Sequence, residues 1–207
     1  SGGNAYMTSD TPLSRGWNHL MVTRTISNNT ARMFINGVQT ASSTDFDETY
    51  GNDTSNVLMV GAQSYSGPAA YFTGHISNLR IIKRTALYTS NFKPSMRELE
   101  VIPGTVLLAC QSKTDATLEK TGKVITANGN AVASELTPGI LTPVPKAGAG
   151  SAITGSVEFD GESILEATSP DFAMGDSDLT MECWFYNGCL LYTSDAADEG
   201  LGVDLGG

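Results

Sequence analysis

"WNHLMVTRTISNNTARMFINGVQTASS" occupies residues 17–43 and holds the pattern from which the fold is read. "WNHLMVTR" (17–24) reads as a strand and the polar run "ISNNT" as a turn. "ARMFING" (31–37) ends in Asn36-Gly37, a pair that accepts the positive φ angles a two-residue type I′ turn requires. The chain therefore doubles back, and "VQTASS" is the return strand. A hairpin of this kind needs other strands to cover it, and the flanking sequence supplies them.

Downstream, the acidic loop "TDFDETYGNDTSN" leads into "VLMVGA" (57–62). After "QSYSGPAA" comes "YFTGHISNLRIIKR" (71–84), the longest strand candidate, closed by "TALYTSNFKPS" as a turn with a proline stop. Beyond Pro103, "GTVLLACQS" (104–112) reads as a buried strand, and "VITANGN" as a strand ending in another Asn-Gly turn. "LTPGILTPVPKAGAGSA" (136–152) has no period and reads as a loop or linker. "GSVEFDGESILEAT" is expected to form a hairpin around Gly161. In "DLTMECWFY" (178–186), Leu179, Met181, Cys183 and Phe185 share one face, and Thr180, Glu182, Trp184 and Tyr186 the other.

Composition agrees with an all-β chain. Charged residues are 16% and hydrophobic residues 40%, with 22 glycines and 8 prolines, and helix-period patterns are hard to find. A net charge of −10 leaves no basic surface to displace counterions from phosphates, so no nucleic-acid partner is expected. No apolar run approaches a membrane span, so no membrane partner is expected either. Cys110, Cys183 and Cys189 lack metal-ligand spacing. Cys110 and Cys183 lie within apolar strands and read as buried thiols.

The ordered set Trp-x-His-x-x-Val-Thr-Arg (17–24), Phe-Ile-Asn-Gly (34–37), Gly-x-Ile-x-x-Leu-Arg-Ile (74–81) and Tyr-Thr-x-Asn-Phe-x-Pro (88–94) resembles a laminin-G-like, concanavalin-A-like jelly roll. It is most similar to the version repeated in phage structural and tail proteins. The resemblance implies an antiparallel β-sandwich. Residues 1–100 resemble the C-terminal half of one such domain, and residues 101–187 the N-terminal half of a second copy. Two half sandwiches cannot each bury both sheets, so they are expected to complement one another. Where the family often has Gly-x-Ile-Asp, this chain has Ser77 and Asn78. After Asn187, "CLLYTSDAADE" back-translates, in frame, to a sequencing-library adapter, and "VDLGG" fits its continuation. Residues 188–207 are therefore expected to be read-through that is no domain. Without Asp195, Asp198, Glu199 and Asp204 of that tail, the net charge becomes −6.

Several residue groups are candidates for function. Glu158, Asp160 and Glu162 alternate in "SVEFDGES", as do the carboxylates of glucanases built on related jelly rolls, in which the outer two glutamates act as nucleophile and acid. Gly161 interrupts the strand and the expected return arm takes Glu162 off the shared face, so an enzyme is not expected. Asp45, Asp47, Glu48 and Asp53 offer oxygen ligands for a possible calcium ion, although a solvated acidic loop accounts for them as well. His19 and His75 are expected to be packed or half-exposed strand residues. Trp17 is expected in the core. Tyr65, Tyr71 and Phe72 around the Gly-Pro loop, together with Trp184, are the candidate sugar contacts. The resemblance thus implies a non-enzymatic glycan-binding, adhesion or decoration module at a virion or extracellular surface. Its expected partners are a glycan or cell-surface polysaccharide and neighbouring repeats of the same polypeptide.

Overall fold

The computed structural model describes residues 7–44, 56–64, 68–139, 151–173, 175 and 177–187. Among them the chain is a β-sandwich. Its strands are β1 (Trp17–Thr25), β2 (Thr30–Ile35), β3 (Val38–Ser43), β4 (Val57–Val60), β5 (Gln63–Ser64), β6 (Pro68–Ala69), β7 (Thr73–Lys83), β8 (Thr105–Ala109), β9 (Ile125–Asn128), β10 (Val132–Ser134), β11 (Ser156–Asp160), β12 (Ile164–Thr168) and β13 (Leu179–Asn187). An eight-stranded sheet runs β10-β11-β7-β13-β1-β2-β3, with β8 also on β7, and a three-stranded sheet runs β4-β12-β9. A short β5-β6 pair stands apart. All the strand pairings are antiparallel.

The Asn36-Gly37 turn forms where the sequence places it, with φ of 52° and 80°, and joins β2 to β3. Strands from both sides of residue 100 share both sheets. β13 lies between β1 and β7, hydrogen-bonded to each, and β12 pairs with β4. Strands β4 and β7 from before residue 100, and β8, β9, β11, β12 and β13 from after it, therefore build one core. In it Leu79, Ile81, Leu107, Ala109, Val157, Phe159, Leu165 and Ala167 meet, with Leu179, Met181 and Cys183 packed against them. The expected faces of β13 are the observed ones.

The expected hairpin around Gly161 is not a hairpin. β11 pairs with β10 and β7 in the large sheet, whereas β12 pairs with β4 and β9 in the small one. The chain turns at Gly161, with φ of 91°, and crosses from one sheet to the other, so that Phe159 and Leu165 enter the core from opposite sides. A positive-φ glycine serves either kind of turn; the choice follows from which neighbours take up the backbone hydrogen bonds.

A β-bulge in β7 decides what each face of the large sheet carries. Glu182 of β13 pairs with Arg80, but Trp184 pairs with Ser77, so β7 holds one residue more than its partner between these points. Asn78 stands there in the left-handed region, at φ 53°. Ahead of the bulge Ile76 faces the core; after it Leu79 and Ile81 do, and Arg80 points to the back. An uninterrupted strand would send residues 76, 78 and 80 to the core, burying an amide and a guanidinium there.

The back of the large sheet is covered by residues 85–103, of which the sequence alone predicts 85–95 as a closing turn. The carbonyl of Tyr88 accepts from Thr23 Oγ1 at 3.0 Å, that of Ser95 from Trp184 Nε1 at 3.1 Å, and that of Glu100 from Arg80 Nη1 at 3.0 Å. Asn78 donates to the Arg97 carbonyl at 2.9 Å and accepts from Gln111 Nε2 at 2.6 Å. Phe92 stacks on Tyr88 at 4.0 Å and meets Phe34 and His19 edge to face at 5.4 and 5.8 Å. Its amide donates to the Gly37 carbonyl at 2.9 Å.

Gly37 joins the turn to this strap. A Cβ there would lie 2.0 Å from the Phe92 carbonyl oxygen, on a backbone at φ 80°. Gly37→Ala is expected to cost about 1–3 kcal/mol from the backbone conformation, and more from the displaced strap. Urea unfolding monitored by tryptophan fluorescence measures it; an unchanged midpoint would mean that the strap does not seat on the turn.

Candidate functional site

Three groups of polar or aromatic side chains merit consideration as a site, and their burial separates them. The first is an ionic triad beneath the strap. Glu182 accepts from Arg80 Nε and Nη2 at 2.9 and 2.5 Å through one carboxylate oxygen, and its other oxygen lies 3.3 Å from His19 Nε2. His19, Arg80 and Glu182 are only 2%, 7% and 5% exposed, so no substrate reaches them. Burial pushes the Glu182 carboxyl upward, but hydrogen bonds from His19 and Arg80 and the guanidinium charge outweigh it and hold the group below the ordinary carboxylate range. The triad is structural. Its chemistry is that of a charge sealed with its partners, which is costly to break from one side.

A carboxylate whose folded pKa is depressed stabilises the fold above the unfolded value near 4.5, and that contribution disappears as pH falls through the folded value. Glu182→Gln is expected to lose about 3–5 kcal/mol at pH 7, and to flatten the acid limb of stability against pH. Urea titrations of both proteins between pH 7 and pH 3 read this directly; a parallel acid limb in the variant would refute the assignment.

The second group is the alternating carboxylates. Glu158 and Asp160 are exposed on β11, but Glu162 stands in the turn after Gly161, its amide donating to Asp160 Oδ1 at 3.0 Å. That turn carries the chain out of the sheet, so Glu162 does not extend the face of Glu158 and Asp160. The hydrogen bond from the Glu162 amide, then the one from Ser163, lower the Asp160 pKa. The aspartate is thus held ionised by its own turn.

The third group is a row across the back of the large sheet. Val132 of β10 pairs with Glu158 of β11, Glu158 with His75 of β7, His75 with Tyr186 of β13, and Tyr186 with Trp17 of β1. Neighbouring strands lie about 4.8 Å apart, so five strands carry the row across about 19 Å. Its three rings are drawn together. Trp17 and Tyr186 have centroids 5.9 Å apart, His75 and Tyr186 6.0 Å, and Trp17 and His75 6.3 Å, with interplanar angles of 52–69°. Trp17 and His75 stand two strands apart, so both lean over Tyr186. The rings are half-buried and Glu158 is exposed. The strap's hydrogen bonds and ring contacts to β1, β7 and β13 fall on Thr23, His19, Asn78, Arg80, Thr180 and Trp184, and this row lies beyond them.

Trp17 Nε1 and His75 Nδ1 are shielded from solvent and have no hydrogen-bond partner among the described residues. Burial lowers the His75 pKa, and the Glu158 charge offsets this only in part, so the imidazole is neutral at pH 7. With Nδ1 unpaired, the tautomer carrying its proton on Nε2 spares the imidazole an unsatisfied buried N–H at Nδ1.

The structure distributes the sequence-predicted residues unevenly. Tyr65, Asp45, Asp47, Glu48 and Asp53 lie outside the described residues. Among the described residues no group of three or more His, Cys, Asp or Glu is placed to hold a metal ion. Tyr71 is exposed, at 41%, just ahead of β7. Phe72 is half-buried and packs edge to face on the core residue Phe159 at 6.2 Å, which leaves its ring little free face. Trp184 is 8% exposed, its indole donating to Ser95 and its ring edge to face with His19 at 5.1 Å. The two tryptophans thus exchange their expected places: Trp184 is the packed one, and Trp17 belongs to the surface row. Cys110 and Cys183 are free thiols as expected, and burial raises both, Cys183 to about 12.

With this geometry in place, comparison with known proteins is informative. Residues 1–88 match the family model described as the concanavalin A-like lectin/glucanases superfamily. Those residues are similar to that superfamily. They contain β1 to β7, hence Trp17 and His75, while Tyr186 and Glu158 reach the concanavalin A-like sandwich from beyond the matched segment. No curated protein and no solved structure matches the chain.

The row makes His75 a reporter of its surroundings. An NMR titration of the imidazole is expected to give a pKa below 6.5, and Glu158→Gln is expected to lower it further by removing the charge that raises it. An upward move in the variant would mean that the two residues are not neighbours.

Proposed function

We propose that this concanavalin A-like sandwich is a non-enzymatic glycan-binding module, part of a larger adhesion or decoration protein such as a phage virion or tail component. The observation that carries the reading is the surface row Trp17–Tyr186–His75, bordered by Glu158 and left clear of the strap. Aromatic faces suit the apolar faces of pyranose rings, and an adjacent carboxylate and imidazole can hydrogen-bond hydroxyl groups. Sugar binding at a shallow sheet surface is weak per site, and becomes useful where many copies stand on one particle.

A β-glucanase using Glu158 and Glu162 is the competing enzyme reading. Retaining and inverting hydrolysis both require two carboxyl groups fixed on either side of one glycosidic bond. Binding is favoured because Glu162 belongs to a turn leading to the other sheet, whereas Glu158 stands in line with three rings. A structural role in contacts between neighbouring repeats is favoured by a different observation: β13 completes a sheet with β1 and β7, so a strand supplied from later in sequence closes the fold. Such a strand is what successive repeats of one polypeptide would exchange. Calcium, if it contributes, would act through Asp45, Asp47, Glu48 and Asp53.

Affinity electrophoresis of the whole chain through gels containing single soluble polysaccharides tests the binding reading. At least one β-linked polysaccharide is expected to retard the protein without being shortened. Trp17→Ala is expected to weaken the affinity read from retardation roughly five- to thirtyfold, because a stacked ring contributes about 1–2 kcal/mol. Trp17→Phe is expected to keep part of it. Migration unaffected by every polysaccharide, or by Trp17→Ala, would refute the proposal, as would chain shortening that Glu158→Gln abolishes.

A further inference from the structure

The row is polarised, and this points to the kind of sugar it takes. Glu158 is exposed, has no salt-bridge partner among the described residues, and stands two positions from exposed Asp160 on the same face of β11. The row contains no lysine or arginine. The nearest basic residue in sequence is Arg15, beside Trp17 at the opposite end. The rings next to Glu158 are His75 and then Tyr186, whose tilted faces, with that of Trp17, form one compact cluster. An exposed carboxylate beside electron-rich ring faces is complementary to a cation: the carboxylate offers charge-assisted hydrogen bonds, and the ring quadrupoles attract positive charge.

We infer that the row selects glycans whose sugars carry a free amine, the ammonium group seated between Glu158 and the Tyr186–His75 faces, and the pyranose ring on Trp17. The inference rests on the glycan-binding reading and deepens it. A neutral imidazole at the centre supports it, since a charged one would repel the ligand. The same chemistry disfavours uronic-acid polymers, whose carboxylates would face Glu158 and Asp160.

The test compares matched oligosaccharides on the whole chain at pH 7 and physiological salt: β-1,4-linked glucosamine, its fully N-acetylated counterpart, and a β-linked uronate of the same length. Calorimetry is expected to show glucosamine binding roughly tenfold more tightly than the N-acetylated form, and no uronate binding. Glu158→Gln is expected to bring the glucosamine affinity to within about twofold of the N-acetylated one and to leave the latter unchanged. Asp160→Asn removes the same unit of charge nearby and is expected to have less than half that effect in fold terms. Equal affinity for the free and N-acetylated amines would overturn the inference while the glycan reading stands. Binding to none of the three sugars would overturn the inference, and the glycan reading falls with it only if every polysaccharide also fails to retard the chain. Asp160→Asn matching Glu158→Gln would show attraction to an acidic protein in general, and would overturn the site. Oligolysine binding as tightly as glucosamine, and lost in Trp17→Ala, would assign the row to a peptide instead.

Discussion

The extra residue in β7 governs much of this molecule. Asn78, in a left-handed conformation, changes the facing of a single strand partway along its length. On one side of the bulge His75 and Ile76 divide between back and core. On the other, Leu79 and Ile81 take the core and Arg80 turns to the back. Arg80 can then meet Glu182, and the pair is closed over by the strap. Asn78 itself holds the strap, through Arg97 and Leu99, and ties it to Gln111. A bulge costs ladder hydrogen bonds locally; here the freed Asn78 amide donates to the Cys110 carbonyl at 3.0 Å, and the Asn78 side chain binds the segment that covers the sheet.

The strap divides the back face into two environments. Beneath it, side chains with the chemistry of an active site (a histidine, a glutamate, an arginine and a tryptophan) are sealed and held by carbonyls of the strap and by one another. Beyond it, a similar collection of side chains is left uncovered by the strap. The distinction between scaffold and candidate site is therefore one of cover. β13 supplies both regions, with Glu182 and Trp184 under the strap and Tyr186 outside it.

What could be read from the residues follows the range of the interactions involved. The Asn36-Gly37 hairpin is local: its turn conformation is dictated by two residues, and its strands are adjacent in sequence. The faces of β13 follow from alternation within nine residues. The arch at Gly161 looked like a hairpin because the same glycine conformation permits both, and whether the arms pair is decided by β7 and β4, about 85 and 105 residues away along the chain. The closing turn that proved to be a strap carries no strong period of its own, since its order comes from hydrogen bonds donated by four other strands or their extensions.

The sequence by itself determined that the chain is all-β, where most of its strands lie, and that its concanavalin A-like signature runs through β1, β2 and β7. These features rest on alternation, turn residues and ordered local motifs. Only the tertiary structure decided which tryptophan is buried. Trp17 and Trp184 both lie on the back of the large sheet, in strands that pair with each other, and no pattern within either strand separates them. Trp184 sits beneath Ser95 and beside His19, and is packed. Trp17 pairs with Tyr186 one row further along, where the strap has already passed, and it is only half-buried. Burial is a property of what lies above a face, and that segment comes from elsewhere in the chain.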